Sequence, residues 1–210
     1  MINAALAEQI ADALAADGYS IIQQALPDIL VAALAERATS CAEQNYAPAG
    51  IGRQIGKQHN VAIRNDAICW IERDNDIDAQ YLNWMETLRR ELNARLYLGL
   101  FDFESHYAHY APGAFYKKHV DAFRGQSNRI ISTVLYLNKN WPAIQGGHLC
   151  IYSRHDAAQK IVEILPEYGR FVIFLSADFP HEVMPATTDR YSIPGWFRLN
   201  NSTGARVDPA

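Results

Sequence analysis

The chain has 210 residues, of which 49% are hydrophobic and 20% are charged, and its formal net charge is -4 at pH 7. This composition excludes a disordered chain and provides enough apolar residues for a sizeable core. The acidic balance and the lack of a basic stripe argue against a protein that captures nucleic acid by charge.

The N-terminal segment and the cysteines indicate the cellular compartment. The first residues lack a basic region, and Glu8 and Asp12 interrupt the apolar run, so we expect no secretory signal peptide. No stretch approaches the roughly 18 uncharged apolar residues of a membrane-spanning helix. Three widely spaced cysteines without a C-x-x-C pair predict neither a disulfide framework nor a thiolate zinc site. We therefore expect a cytoplasmic protein without a membrane segment.

Apolar residues that recur every three or four positions predict three amphipathic helices in the first hundred residues. The first covers 3–17, the second follows Pro27, and the third covers 79–98 and ends at Gly99. Short strands are predicted near 19–22 and 68–72. The apolar stripes consist of Leu6, Ile10 and Leu14, then Ile29, Leu30, Leu34 and Cys41, and finally Leu82, Met85, Leu88, Leu92 and Leu96.

A glycine-rich segment interrupts this helical part. Gly50, Gly52 and Gly56 lie among polar residues in the segment 47–62, which can bury little apolar area. We therefore predict a mobile loop there. A loop of this length either connects two elements or covers an active site, and the residues themselves leave both readings open.

From Asp102 onward the hydrophobic period changes to two, and turn residues recur at short intervals. Eight short strands predict a double-sheet jelly roll or barrel, with the helices packed on one outer face. We expect an α+β, mainly β chain that forms a single domain over 1–210. Its parts are a helical support over 1–100, the β core over 101–199 and a flexible tail over 200–210. The predicted strands cover 103–111, 115–120, 129–138, 147–153, 160–165, 170–176, 181–184 and 190–199.

A candidate metal site lies in the β-rich half. His119 and Asp121 are two residues apart, so their side chains share one face of a strand. His181, on another strand, is the candidate third ligand. Two imidazoles and a carboxylate are the ligand set of non-haem Fe(II) sites with open coordination positions. A His-x-Asp pair arises about once by chance in such a chain, so an ordinary strand histidine is the alternative. The remaining histidines of this half, His106, His109, His148 and His155, are expected to be surface or hydrogen-bonded residues.

Arg190 makes the metal hypothesis more specific. It follows His181 by nine residues, and a guanidinium can hold the C5 carboxylate of a bound 2-oxoglutarate with two parallel hydrogen bonds. Ser192 lies two residues on, on the same face, and can donate a further hydrogen bond. The alternative is a surface arginine near Asp189.

Several segments together resemble the iron- and 2-oxoglutarate-dependent prolyl 4-hydroxylases. The resemblance is to the SM-20 or hypoxia-inducible-factor prolyl hydroxylase type, including its bacterial members, and it covers about residues 45 to 199. The segments that carry it are 63–66 (IRND), 70–72 (WIE), 110–113 (YAPG), 116–121 (YKKHVD), 135–141 (LYLNKNW), 146–149 (GGHL), 180–183 (PHEV) and 190–193 (RYSI).

The resemblance implies a double-stranded β-helix that binds Fe(II) and 2-oxoglutarate, with ascorbate as a reductant. It implies hydroxylation at C4 of a prolyl residue in a partner protein, with elongation factor Tu as a candidate, and release of succinate and CO2. The loop 47–62 would close over the prolyl segment. By motif match, the metal ligands are His119, Asp121 and His181, the 2-oxoglutarate anchor is Arg190 with Tyr136, and the pocket walls are Tyr110, Val134, Leu149, Val183 and Trp196.

Two departures from the family pattern limit what can be carried over. Pro194 and Gly195 replace β-branched residues, so any hydroxyl contact made there is lost, and we expect Ser192 to replace it. Pro194 also predicts a strand edge or a bulge. The loop 47–62 has its own sequence, so the substrate cannot be carried over from the family, and a free amino acid or other small molecule stays open as the substrate. The alternatives of another class are a non-catalytic jelly-roll binding or sensing module and a zinc hydrolase. A monomer is expected.

Overall fold

The computed structural model describes residues 2–41, 46–49, 62–122 and 128–200, which form two antiparallel sheets and three α-helices. The mainly β, jelly-roll-like architecture predicted from the sequence is confirmed. In chain order the elements are α1 (Ala4–Ala16), β1 (Tyr19–Gln23), α2 (Asp28–Cys41), β2 (Ala47–Pro48), β3 (Ala67–Trp70), α3 (Asp76–Leu96), β4 (Asp102–Tyr110), β5 (Tyr116–His119), β6 (Arg129–Tyr136), a 3-10 turn (Ala143–Gln145), β7 (Leu149–Tyr152), β8 (Lys160–Ile164), β9 (Arg170–Leu175), β10 (His181–Val183) and β11 (Arg190–Arg198).

The major sheet has seven strands in the order β1-β9-β6-β11-β4-β3-β2, and the minor sheet has four in the order β5-β10-β7-β8. All eight strands predicted after Asp102 are present, with ends that differ by one or two residues. The tail after residue 200 and most of the predicted loop, 50–61, lie outside the described residues. Only Ala47 and Pro48 of that loop are placed in an element, where they pair with β3.

The three predicted helices are present, but two details of the prediction were wrong. In α2, Ile29 is 84% exposed, whereas Leu30, Val31, Leu34 and Ala38 are buried. Leu30 and Leu34 of the predicted face are therefore confirmed as buried, but Val31 and Ala38 rather than Ile29 lie beside them. None of the described helices is long and apolar enough to cross a membrane.

The third helix begins earlier and ends earlier than its apolar stripe predicted. Asn75 is its N-cap, with a side chain that accepts hydrogen bonds from the N–H groups of Ile77 and Asp78. At the other end Tyr97, rather than Gly99, adopts the left-handed conformation that closes the helix. The capping side chain of Asn75 and the left-handed backbone of Tyr97 therefore set the two ends of this helix, and a count of apolar positions could not locate them.

Strand alternation in β4 divides the interior into two clusters. Tyr107 points to the large cluster in which α1, α2 and α3 pack on the outer face of the major sheet. Its neighbours Ala108 and Tyr110 point the opposite way, into a smaller cluster between the two sheets. The helices thus support the major sheet from outside, and its inner face is left to form a site.

The expectation of a strand edge or bulge at Pro194 was wrong. Pro194 lies within β11, a central strand of the major sheet, and is paired with Val134 of β6. The pairing with β4 has a gap at Ile193 and Pro194 and resumes at Gly195 in the same register. A proline without an N–H is tolerated there because the ladder bonds on either side of the gap hold the strands together.

Candidate metal centre and anion pocket

The candidate metal ligands meet because two short strands of the minor sheet pair in one register. His119, the last residue of β5, lies directly opposite His181, the first residue of β10. Asp121 follows β5 by two residues, and its two carboxylate oxygens lie 3.6 Å from Nε2 of His119 and 3.6 Å from Nε2 of His181. The three side chains offer ligand atoms within 4.8 Å of one another.

Backbone hydrogen bonds fix which nitrogen of each imidazole is free. Nδ1 of His119 lies 2.8 Å from the carbonyl oxygen of Lys117, and Nδ1 of His181 lies 3.0 Å from that of Phe179. A carbonyl oxygen can only accept, so Nδ1 carries the proton in both rings. Each Nε2 therefore presents a lone pair toward Asp121, as metal coordination requires.

The protonation states also suit a cation. Burial lowers the pKa of His181 to about 4, so its ring is neutral at pH 7. Burial alone would raise the pKa of Asp121, but His181, His119 and Arg129 outweigh it and hold the pKa below its usual range. At neutral pH the cluster thus contains the Asp121 carboxylate and the neutral imidazole of His181, and together with the His119 ring this donor set fits Fe(II).

Packing around the cluster orients His119. The Tyr116 ring stacks on the His119 ring at 3.6 Å between centroids with an interplanar angle of 15°. The guanidinium of Arg64 lies over the Tyr116 ring at 4.4 Å from its centre, and a two-point ion pair with the buried Asp66 holds it there. This stack leaves the imidazole little freedom to turn.

Arg190 is a buried cation. Its side chain is 2% exposed, its Nε donates to the carbonyl of Gly147 at 2.9 Å, and one Nη donates to the Ser192 hydroxyl at 3.2 Å. Within the described residues it forms no ion pair with a carboxylate. A buried charge without a counterion is costly, so this guanidinium is suited to receive an anion. The alternative of a surface arginine paired with Asp189 is excluded, since Asp189 bonds His109 instead.

Aromatic rings surround this guanidinium. Its carbon lies 4.9 Å from the ring centre of Tyr110 and 5.1 Å from that of Tyr136. The Tyr136 hydroxyl is buried and has no hydrogen-bond partner among the described residues, and burial raises the pKa of Tyr136 to about 12, so the phenol keeps its proton. The Tyr136 hydroxyl, which has a proton to donate, thus lies beside the guanidinium of Arg190, which lacks a counterion in the described part of the chain. A carboxylate ligand would fit both groups.

Four of the pocket-wall residues expected from the resemblance lie together between the sheets. Tyr110, Leu149 and Val183 belong to the inner cluster with Tyr136, and Val134 packs against it. Trp196 is the exception, because its indole contacts Arg129 at 3.6 Å and the ring of His106 at 5.5 Å rather than that cluster.

The sequence reading of His106 was wrong. We expected a surface or hydrogen-bonded histidine, but the ring is 3% exposed and neither nitrogen has a partner among the described residues. It packs against Trp70 and Trp196. His109 agrees with the expectation, since it bonds Asp189 at 2.7 Å.

Two buried serines next to Asp121 were not singled out from the sequence. Ser132 in β6 donates to Oδ2 of Asp121 at 2.6 Å, and its oxygen lies 2.8 Å from that of Ser176. Strand alternation places Ser132 on the same face as Val134 and Tyr136, which could have indicated an inward-facing hydroxyl. That this hydroxyl bonds Asp121 depends on how the two sheets pack together, and the pattern of a single strand does not specify that packing.

Comparisons with known proteins agree with this geometry. The sequence profile of the 2OG-Fe(II) oxygenase superfamily matches residues 105–198. Human Egl nine homolog 1 is 32% identical over 145 residues, which are 64% of this chain and 33% of that protein. Mouse prolyl hydroxylase EGLN3 is 30% identical over 158 residues, 71% of this chain and 63% of that protein. The chain thus spans between one third and two thirds of these animal relatives.

Two solved structures match nearly the whole chain. A Pseudomonas putida prolyl-4-hydroxylase is 39% identical with a TM-score of 0.83, and the match covers 92% of this chain and 99% of that one. A Trichoplax adhaerens prolyl hydroxylase, solved in complex with a peptide of the hypoxia-inducible factor oxygen degradation domain, is 26% identical with a TM-score of 0.82, covering 93% and 90%. The chain therefore belongs to the 2OG-Fe(II) oxygenase superfamily and, within it, to the prolyl hydroxylases.

Proposed function

We propose that this protein is an Fe(II)- and 2-oxoglutarate-dependent dioxygenase that hydroxylates C4 of a prolyl residue in a protein or peptide. The observation that carries the proposal is the buried, unpaired guanidinium of Arg190 beside the His119, Asp121 and His181 cluster. A metal site alone would fit many reactions. A metal site with a closed cation pocket fits a cosubstrate that has a chelating end and a distant carboxylate.

The chain's own residues would hold both ligands. His119, Asp121 and His181 would hold the iron, and Arg190 would bind the C5 carboxylate of 2-oxoglutarate. Tyr136 would donate a further hydrogen bond to that carboxylate from its unpartnered hydroxyl. The Ser192 hydroxyl accepts a hydrogen bond from the guanidinium of Arg190. It would therefore help to position that guanidinium for the carboxylate.

Iron held there would supply the oxidation, in which dioxygen and 2-oxoglutarate give succinate and CO2 and one oxygen atom is inserted into the substrate C–H bond. The protein's contribution is to orient the reactants and to exclude water. Leu149 and Val183 line the interior with apolar side chains, which lowers the local dielectric and strengthens the charge pairing at Arg190.

The relatives point to a prolyl substrate. Each of the proteins compared above at 26% identity or more is named as a prolyl hydroxylase or as an Egl nine homolog, and one was solved with a peptide bound. Nothing in the site favours a free amino acid, a non-catalytic binding module or a zinc hydrolase. A zinc hydrolase, in particular, would leave Arg190 without a role.

The test is succinate formation by the purified protein with Fe(II), 2-oxoglutarate and dioxygen. We expect turnover to rise when a proline-containing peptide is added, and the peptide to gain the mass of one oxygen atom. The matched control is the same peptide with alanine in place of proline, which should stay unmodified. Succinate formation that no proline-containing peptide or protein stimulates would favour a small-molecule substrate, and no 2-oxoglutarate consumption at all would refute the proposal.

Two finer parts of the proposal, the target and the reductant, rest on the sequence and on the family resemblance. The target is an exposed prolyl segment of a cytoplasmic protein, with elongation factor Tu as the first candidate. Ascorbate serves as a reductant that restores Fe(II). Peptide mass analysis of purified elongation factor Tu, incubated with the enzyme with and without ascorbate, tests the target and the reductant. If elongation factor Tu is unmodified, peptide mass analysis of whole-cell extract treated in the same way can identify another target.

A further inference from the structure

Asp121 is held by a side chain of the opposite sheet. It lies two residues beyond the end of β5, outside the strand ladder. Its Oδ2 accepts a hydrogen bond from Ser132 Oγ at 2.6 Å, and its Oδ1 faces Nε2 of His119. Ser132 belongs to β6 of the major sheet, so this bond joins a side chain on the minor sheet to a central strand of the major sheet.

A second serine sets the direction of the hydrogen bonds. Ser176 Oγ lies 2.8 Å from Ser132 Oγ, and the residues are 0% and 1% exposed. An ionised carboxylate can only accept, so Ser132 uses its one proton on Asp121. The oxygen of Ser132 must then accept from Ser176. The result is a relay in which Ser176 donates to Ser132 and Ser132 donates to Asp121.

The strands that carry the relay are firmly paired. Ser132 lies opposite Phe174 of β9 and opposite Trp196 of β11, so its strand is bonded on both sides. Ser176 follows β9 directly, and its N–H donates to the carbonyl of Ile130. Two neighbouring backbone segments thus fix both hydroxyls, whereas the backbone at Asp121 has no ladder partner within the part of the chain that the structure describes.

We propose that Ser132 and Ser176 are positioning residues for the Asp121 ligand, an inference that rests on the proposed metal-dependent function. The relay holds the carboxylate in the orientation in which Oδ1 lies 3.6 Å from Nε2 of His119 and Oδ2 lies 3.6 Å from Nε2 of His181. Partners of this kind typically change metal affinity by about 10- to 100-fold when removed.

The test is the affinity of the purified protein for Mn(II) alone, measured by the loss of the free-ion electron paramagnetic resonance signal. Ser132→Ala is expected to weaken binding by about 10- to 100-fold, and Ser176→Ala by a smaller factor because the bond to Asp121 survives. Ser132→Thr, which keeps a hydroxyl at this position, should recover most of the affinity. Thermal unfolding of each variant shows whether it is folded.

A matched control is available in β4. The Ser105 hydroxyl is also buried but has no hydrogen-bond partner among the described residues. Ser105→Ala should therefore leave Mn(II) affinity unchanged. If Ser132→Ala folds and binds Mn(II) as tightly as the wild type, the positioning role is overturned. If Ser132→Ala does not fold, the same result in Ser176→Ala overturns it. Failure of the wild-type protein to bind Mn(II) would instead refute the proposed function, so the two failures are distinguishable.

Discussion

His119 and His181 face each other as a directly opposed pair in the ladder between β5 and β10, and their ring centres are 4.3 Å apart. In both rings the Nδ1 proton is held by a backbone carbonyl two residues earlier in the chain. The pairing register therefore fixes the position of both imidazoles, and the local backbone fixes their tautomers. The strand pairing and the two carbonyl hydrogen bonds thus orient both imidazoles.

Removal of one imidazole is expected to abolish tight metal binding without unfolding the protein. His181→Ala should weaken Mn(II) binding by more than about 100-fold, beyond the loss typical for an outer partner. Isothermal titration calorimetry measures the effect. His148→Ala is the matched control, because His148 lies on a neighbouring segment of the β core but outside the cluster. Equal metal affinity in the His181 variant and the wild type would remove His181 from the ligand set.

Gly195 makes room for Phe103 of the neighbouring strand. A Cβ at position 195 would lie 2.4 Å from Phe103 Cζ and 3.0 Å from the carbonyl oxygen of Glu104. Gly195→Ala is therefore expected to destabilise the protein by about 1–3 kcal/mol through overpacking. Urea unfolding measures the change.

The double variant Gly195→Ala with Phe103→Leu tests the cause of that destabilisation. If the ring is what the new methyl group meets, the second substitution should cost less in the Gly195→Ala background than in the wild type. Additive effects of the two substitutions would show that the close approach to Phe103 is not the reason for the glycine.

His106 makes the stability of the fold depend on pH. Burial holds its pKa at about 3 in the folded protein, whereas an unperturbed histidine titrates near 6.5. Between these values the unfolded chain binds a proton that the folded protein does not, so the free energy of unfolding falls as the pH drops. The loss is at most about 1.4 kcal/mol per pH unit.

Replacement of this imidazole should flatten the pH profile. His106→Phe keeps an aromatic ring between Trp70 and Trp196 but cannot titrate, so its stability relative to the wild type should rise as the pH falls from about 6.5 towards 4. Urea unfolding at several pH values checks this. His155→Asn, at an exposed turn, is the control and should follow the wild type. A His106→Phe profile parallel to that of the wild type would contradict the burial argument.

The fold was predictable where a local pattern determines it. The change of hydrophobic period after Asp102 located all eight strands of the β core, and the periodic leucines located α3. The pattern failed at the ends of α3, where the capping side chain of Asn75 and the left-handed Tyr97 decide the boundary. It also failed at Ile29, since the angle at which a helix packs on the sheet is not encoded in its own apolar spacing.

The site was predictable in part for a similar reason. His119 and Asp121 are linked by strand alternation, and Arg190 with Ser192 by the same rule, so spacing alone could propose them. His181 was proposed as the third ligand because it lies on another strand, and the family resemblance added Tyr136 and the pocket walls. Ser132 and the buried His106 depend on contacts between strands distant in sequence, and a one-dimensional pattern does not show which residues meet there.

The central claim is that the metal cluster and the Arg190 pocket together bind 2-oxoglutarate. Its most direct test is calorimetric titration of 2-oxoglutarate into the Mn(II)-loaded protein without dioxygen, comparing the wild type with Arg190→Gln and with the exposed-site control Arg90→Ala. Loss of a hydrogen-bonded charge pair predicts binding weaker by about 1.5–3 kcal/mol, or roughly 10- to 150-fold in Kd, for Arg190→Gln alone. The same Kd in all three proteins would contradict the account.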